Sequence, residues 1–291
     1  MSVIQKKYID IGINLLHKSF NNDRIDVINE GYKLGVSKLI LTGTTVDNSL
    51  KTLNFVNKFN NMNDNDNDKN NCNYNYDKLN NKDNVPIIYS TAGIHPHNAI
   101  EFNENSLNSL EKIAKSPNVK AIGECGLDYN RDFSPRDIQR EVFEKQIQLA
   151  IKLDMPLFLH DRESCVDFSK ILEKYQEDLD KFVVHCFTGT KEELEIYLDL
   201  GAYVGITGWI CDERRGKNLL KLINDIPLDK LMIETDAPFL IPRNLDPKPK
   251  KHRNLPKYLP HIAKTIAIEL GEDEKKISEV TYKNTVDFFN L

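Results

Sequence analysis

Eight short apolar runs punctuate the chain: YIDIGINL (8–15), SKLILTG (37–43), PIIYSTAGIH (86–95), VKAIGECG (119–126), PLFLHDR (156–162), KFVVHCFTG (181–189), AYVGITG (202–208) and LMIETDAP (231–238). Each has strand length, and several are nearly continuous in Val, Ile, Leu and Phe, as strands buried on both faces require. Amphipathic helical stretches lie between them. The clearest is 135–153, where Val142, Ile147, Leu149, Ala150 and Leu153 form much of an apolar stripe. Ser134 is placed to cap it, with Pro135 at the first helical position. Strands alternating with helices imply parallel pairing through right-handed crossovers. Eight such units in about 250 ordered residues predict an α/β fold of the (β/α)8 TIM-barrel type, one domain spanning 1–291. A doubly wound open sheet is the alternative, but the Gly-rich phosphate loop of that fold is absent.

One segment breaks the rhythm. Residues 57–84 read NKFNNMNDNDNDKNNCNYNYDKLNNKDN, nearly half Asn, with too little apolar surface to offset the entropy of ordering. It is expected to loop out of the barrel as an insertion. The remaining bulk properties narrow the class. A composition of 40% hydrophobic residues can build a large core. A net charge of −5 argues against broad non-specific binding to nucleic acid, though not against an enzyme that meets phosphates through bound metal ions. No apolar run approaches the roughly 20 residues that span a bilayer, and no signal-peptide pattern opens the chain. The expectation is a cytoplasmic monomer without a membrane, with nuclear location or non-classical export as alternatives. The five cysteines, Cys72, Cys125, Cys165, Cys186 and Cys211, are scattered and form no CxxC pair, so neither a disulfide framework nor a Cys-based zinc site is expected.

The polar residues fall where chemistry would need them. The apolar runs end at or near Asn14, His95, Glu124, His160, His185 and Asp236. In a TIM barrel the C-terminal strand ends converge on one face, where active sites sit. Singly, each residue has an ordinary role: a hydrogen-bonded histidine, a carboxylate paired with Arg, an Asp capping a turn. Jointly, three imidazoles and two carboxylates at one water-poor mouth suit a divalent metal centre, because an ionised carboxylate left there without a cation or donors costs several kcal/mol.

The motifs DIGINL, STAGIHPHNA, AIGECGLDYNRDFSP, MPLFLHDRE, HCFTGT, GITGWICDERRG and IETDAPFLIPRNLDPKPKKHRNLP resemble those of the TatD family of metal-dependent deoxyribonucleases, TIM barrels of the amidohydrolase superfamily. The resemblance runs from about Tyr8 to the C-terminal helix and leaves out only the Asn-rich insertion. It implies a two-metal hydrolase of DNA phosphodiester bonds, a 3′→5′ exonuclease preferring single strands, with RNA as a further substrate. On that likeness Glu124 bridges two metals, and His160 and His185 ligate one of them. Asp236 ligates the other and acts as general base, and His95 meets the scissile phosphate. The resemblance favours Mg²⁺; imidazole ligands by themselves favour Mn²⁺ or Zn²⁺.

Further candidates lie at the rim. Arg162, two residues past His160, can fork onto phosphate oxygens or pair with Asp161 or Glu163. Trp209 can stack a base or pack the barrel mouth. Arg243 opens the basic segment RNLDPKPKKHRNLPK (243–257), a guide for DNA or a solvated loop. The first strand departs from the His-x-His of many superfamily members: Gly12 and Asn14 stand there, with Asp10 on the same face by simple alternation. This predicts a weaker metal position beside Asp236. Two rival functions remain: an amidohydrolase acting on a cyclic amide or ester, and a non-enzymatic nucleic-acid-binding barrel. The first would want a lysine at the end of the fourth strand. Lys120 sits at its start instead.

Overall fold

The computed structural model describes residues 6–61 and 85–291. Eight strands, β1 (Tyr8–Ile13), β2 (Val36–Leu41), β3 (Ile87–Ala92), β4 (Val119–Asp128), β5 (Leu157–Arg162), β6 (Phe182–Val184), β7 (Tyr203–Ile206) and β8 (Leu231–Ile233), pair in parallel and in chain order. The seam between β8 and β1 is closed beyond the strand ends. Asp236 N–H donates to Gly12 O at 2.9 Å and Asn14 N–H to Ala237 O at 2.8 Å. The TIM barrel read from the alternating runs is therefore present. Around it lie α1 (Arg24–Lys33), α2 (Val46–Asn61), α3 (Ser106–Ala114), α4 (Arg136–Leu153), α5 (Cys165–Glu173), α6 (Lys191–Asp199), α7 (Lys217–Leu222), α8 (Leu259–Leu270) and α9 (Glu274–Phe289). Among the described residues no helix is long and apolar enough to cross a membrane.

The core has two compartments. Strand and helix side chains form an outer shell that includes Leu39, Leu41, Phe143 and Phe168. Inside the barrel, Ile11, Ile40, Ala121, Phe158, Val183 and Met232 pack together with Phe288 and Phe289 of α9. These two rings plug the end where the strands begin, Phe288 lying 5.0 Å from Tyr203. Burying each contributes about 1.5–3 kcal/mol. With the bottom plugged, the open mouth is the face on which the strands end.

Local details differ from the sequence reading at four places. Helix α2 runs to Asn61, so residues 57–61 belong to a helix rather than to the expected loop. Phe59 is buried, and the Asn60 amide bonds both Ile88 O (2.7 Å) and Ile88 N–H (3.2 Å), stitching the helix end to β3. The rest of the Asn-rich stretch, 62–84, lies outside the described residues. Helix α4 begins at Arg136, with Pro135 as its N-cap residue; the Ser134 hydroxyl turns away to donate to His97 O and accept from Ile100 N–H. Strand β4 does not stop at Glu124 but continues to Asp128.

The fourth difference concerns β1. Asp10 aligns with Leu39 and Ile13 with Leu41, so Ile11 and Gly12 together oppose the single residue Ile40. This is a β-bulge, and it breaks the period-two alternation. Ile11 packs in the barrel interior, and a side-chain carbon on Gly12 would point at the interior ring of Phe158. Asp10 therefore does not share a face with Gly12. It is fully buried at the seam, where it accepts from Thr235 N–H (2.8 Å) and Thr235 Oγ1 (2.5 Å) and ties β1 to the end of β8. Burial pushes its carboxyl up to about 7, against those donors.

Candidate metal centre

The residues at the strand ends do converge. Glu124 is placed by a second bulge: Gly123 aligns with Phe158 and Cys125 with Leu159, leaving Glu124 as the extra residue. Bulges of this kind re-aim a side chain, and here the carboxylate enters the barrel mouth. Its backbone N–H is held by Gly43 O at 2.8 Å. One oxygen, Glu124 Oε1, gathers three imidazole nitrogens: His185 Nε2 at 2.8 Å, His160 Nδ1 at 3.0 Å and His95 Nε2 at 3.1 Å. His160 comes from within β5, His185 directly follows β6, and His95 follows β3 by three residues.

The electrostatics of the cluster follow from burial and this crowding. Burial works against the Glu124 charge, but the surrounding imidazoles outweigh it and hold the carboxyl well below its ordinary range. Burial alone would lower both His160 and His185. Hydrogen bonds from Asp128 and Glu124 instead carry His160 up to about 9, and the charges of Glu124 and Glu234 carry His185 well above its usual value. His95 differs, since desolvation prevails and lowers it to about 4. Its Nδ1 accepts from His97 N–H at 3.0 Å, so the neutral ring carries its proton on Nε2, directed into the centre.

On the opposite side of the mouth the donors are sparse. Asp236 follows β8 by three residues and accepts from Asn14 Nδ2 at 3.0 Å. Desolvation pushes its carboxyl well above the ordinary range; His185 opposes this, and Glu124 and Glu234 reinforce it. Gly12 contributes no side chain.

The donor set is suited to divalent cations. His95, Glu124 and His160 can each offer one ligand atom, and these atoms lie within 4.8 Å of one another. His185 shares the same carboxylate oxygen. Nitrogen and carboxylate oxygen in this mixture match Zn²⁺ or Mn²⁺, while the oxygen-only side near Asp236 and Asn14 matches Mg²⁺. A buried carboxylate surrounded by imidazoles and facing a second carboxylate is also an arrangement that a cation would relieve.

The rim candidates separate. The Arg162 guanidinium is exposed and pairs with neither neighbour. Asp161 is taken by Ser164 Oγ and by Tyr197 OH at 2.6 Å, and Glu163 by Asn130 Nδ2 at 2.5 Å. Among the described residues Arg162 makes no salt bridge. Arg243 is tied to Asp212 (Nε–Oδ2 3.1 Å), and the Arg215 guanidinium lies 4.3 Å over the Trp209 ring. Trp209, Asp212, Arg215 and Arg243 line a separate cavity of about 120 Å³. Within the basic segment, Arg253 is not offered to a ligand: it clamps Asp23, with Nη2–Oδ2 at 2.5 Å, and lies over the Phe20 ring. Lys120 reaches Asn290 O at 3.1 Å at the plugged end of the barrel, remote from the mouth.

Sequence reasoning passed over two buried carboxylates. Asp128 ends β4, and Glu234 follows β8 by one residue. Both were visible, in GLDY and IETDAP, but each stands within a few residues of a more obvious candidate. It passed over His97 as well, whose Nε2 meets Asp128 Oδ2 at 2.7 Å and whose ring carries the exposed Phe133 on its edge at 4.8 Å.

Comparisons with known proteins place the chain in a family. The family profile described as TatD related DNase matches residues 9–290. A protein of Rahnella sp. named 3′-5′ ssDNA/RNA exonuclease TatD is 42% identical over 282 residues, 97% of this chain and 98% of its own. The protein of that name from Salmonella typhimurium is 39% identical over the same length. Among solved structures, a TatD family hydrolase from Entamoeba histolytica superposes with a TM-score of 0.82 at 26% identity, covering 98% of each chain.

Proposed function

The chain belongs to the TatD-related DNase family and is a TatD-type nuclease; from that premise we propose that it is a metal-dependent 3′→5′ exonuclease acting on single-stranded DNA and RNA at the β-barrel mouth. The observation that carries the site assignment is the convergence of His95, His160 and His185 on one oxygen of Glu124, opposite Asp236. Glu124, His160 and His185 would hold one divalent ion, and Glu124 with Asp236 and Asn14 a second. Ions held there would supply Lewis acidity toward phosphoryl oxygens and lower the pKa of a bound water.

The chain's own residues account for the rest. Asp236 accepts the proton of the attacking water at its carboxylate. His95 presents Nε2–H to a phosphate oxygen, because its other nitrogen is occupied by the His97 backbone. Arg162, free of both acidic neighbours, forks onto the phosphate from the rim. Trp209 and Arg243 form an outer wall with Asp212 and Arg215, further along a bound strand. The lactonase-type alternative loses its lysine to the plugged end of the barrel.

The test is digestion of 5′-labelled single-stranded DNA by the purified chain with Mg²⁺ or Mn²⁺. The expected result is a ladder shortening from the 3′ end, abolished by chelator. Glu124→Ala should lose about 10²–10³-fold in rate, the scale of removing a principal electrostatic group. Undiminished digestion by that variant overturns the proposal.

A further inference from the structure

Each of the two strand-end histidines on Glu124 has a second nitrogen, and each second nitrogen meets a different buried carboxylate. His160 turns Nδ1 to Glu124 Oε1 (3.0 Å) and Nε2 to Asp128 Oδ2 (3.2 Å). His185 does the reverse, with Nε2 to Glu124 Oε1 (2.8 Å) and Nδ1 to Glu234 Oε2 (3.3 Å). From this pairing we infer that Asp128 and Glu234 are positioning residues that fix the ring orientation and the tautomer of His160 and His185, so that opposite ring nitrogens face the centre. The inference rests on the proposed metal-dependent reading and adds to it two residues that touch neither substrate nor, by their placement behind the rings, the metal.

The outer carboxylates are themselves held. Asp128 Oδ1 accepts from Arg131 N–H (2.8 Å) and Asn130 N–H (3.1 Å) in the turn that ends β4. Its Oδ2 also meets His97 Nε2, so this one side chain orients two histidines. Glu234 Oε1 accepts from Cys186 N–H at 2.6 Å, the residue next to His185. The space Glu234 occupies is made by two glycines. A side-chain carbon on Gly12 would come within 2.3 Å of its Oε2, and one on Gly205 within 2.6 Å of its Oε1. The glycine at position 12, where many superfamily members place a histidine, thus has a use of its own: it leaves room for the acid that aims His185.

A carboxylate accepting the N–H of an imidazole leaves the other nitrogen with its lone pair available, and losing such a partner typically costs about 10–100-fold in metal affinity. The experiment is calorimetric titration of the metal-free full chain with Mn²⁺, for the wild type, Glu234→Gln and Asp128→Asn. Each variant should bind 10–100-fold more weakly while melting near the wild-type temperature. Wild-type affinity in a folded variant overturns the role of that residue. Nitrogen-15 spectra of the Zn²⁺-loaded wild type decide the point even if a variant does not fold. His160 should keep its proton on Nε2 and His185 on Nδ1; the same nitrogen protonated in both rings overturns the inference. A wild type that binds no divalent ion would overturn the metal-dependent reading as well, so the two failures are distinguishable.

Discussion

The two halves of the barrel mouth are built to different densities. On the β4–β5–β6 side, one bulged glutamate is surrounded by imidazoles, and two of these are braced from behind by buried acids. On the β8–β1 side, Asp236 has an amide from Asn14 and a glycine for company. The crowded half is nitrogen-rich; the sparse half offers oxygen donors from Asp236 and Asn14 and borders a cavity of about 160 Å³ lined by Asn14, His17, Thr42 and Phe239. On the proposed two-metal reading, this difference would divide the labour: a tightly held cation on the crowded side, and an exchangeable one on the sparse side beside Asp236.

The largest expected effect comes from removing the base on the sparse side. Asp236→Asn keeps shape and the Asn14 contact but cannot take a proton. Its kcat should fall by about 10²–10⁴-fold, while one tight Mn²⁺ site persists in calorimetry because Glu124, His160 and His185 are untouched. Loss of all metal binding in this variant would break the comparison, since it would mean the two halves form one indivisible site.

Next in size is a pH effect at the seam that holds the sparse side together. Asp10 is fully buried and its folded-state value lies near 7, above the ordinary carboxylate value of 3.8. A raised carboxyl binds its proton more tightly in the folded chain than in the unfolded one. Its contribution is therefore fully present below pH ~4 and is lost as pH rises through about 7, by up to ~4 kcal/mol for a shift of roughly three units. Urea titrations at pH 5 and pH 8 should show this fall in the wild type and a flatter profile in Asp10→Asn, where no proton is exchanged. An equal slope in both would remove Asp10 from the seam's energetics.

Much of this was legible in the chain. The eight apolar runs gave strand order directly, because parallel strands buried on both faces leave continuous Val, Ile and Leu. The residues that converge, His95, Glu124, His160, His185 and Asp236, were legible because a barrel brings every strand end to one mouth. What alternation could not foresee were the two bulges. One extra residue in β1 puts Asp10 on the seam rather than beside Gly12, and one in β4 aims Glu124 inward while the strand runs on to Asp128. Alternation assumes an unbroken pleat, and a bulge depends on how neighbouring strands fit, which a single sequence does not encode locally. The bracing acids were missed for a related reason. Asp128 and Glu234 act through contacts with residues 32 and 49 positions away, respectively, and no spacing rule connects such pairs.

The smallest of these effects is the most direct test of asymmetry, because it adds a ligand instead of removing one. Asn14 offers a neutral amide, bonded to Asp236, and lines the cavity beside β1. An imidazole there would have room, and it would bring to the sparse half the ligand type that makes the other half tight. Asn14→His should tighten the weaker of two Mn²⁺ sites by on the order of tenfold, about 1.4 kcal/mol, and leave the stronger one unchanged. The same change should slow turnover with Mg²⁺, because an imidazole nitrogen suits Mg²⁺ less well than the amide oxygen it replaces. Two equal, tight affinities in the wild type would end the comparison at its first step. A variant that tightens the strong site instead would place Asn14 on the crowded half and reverse the assignment of the two sides.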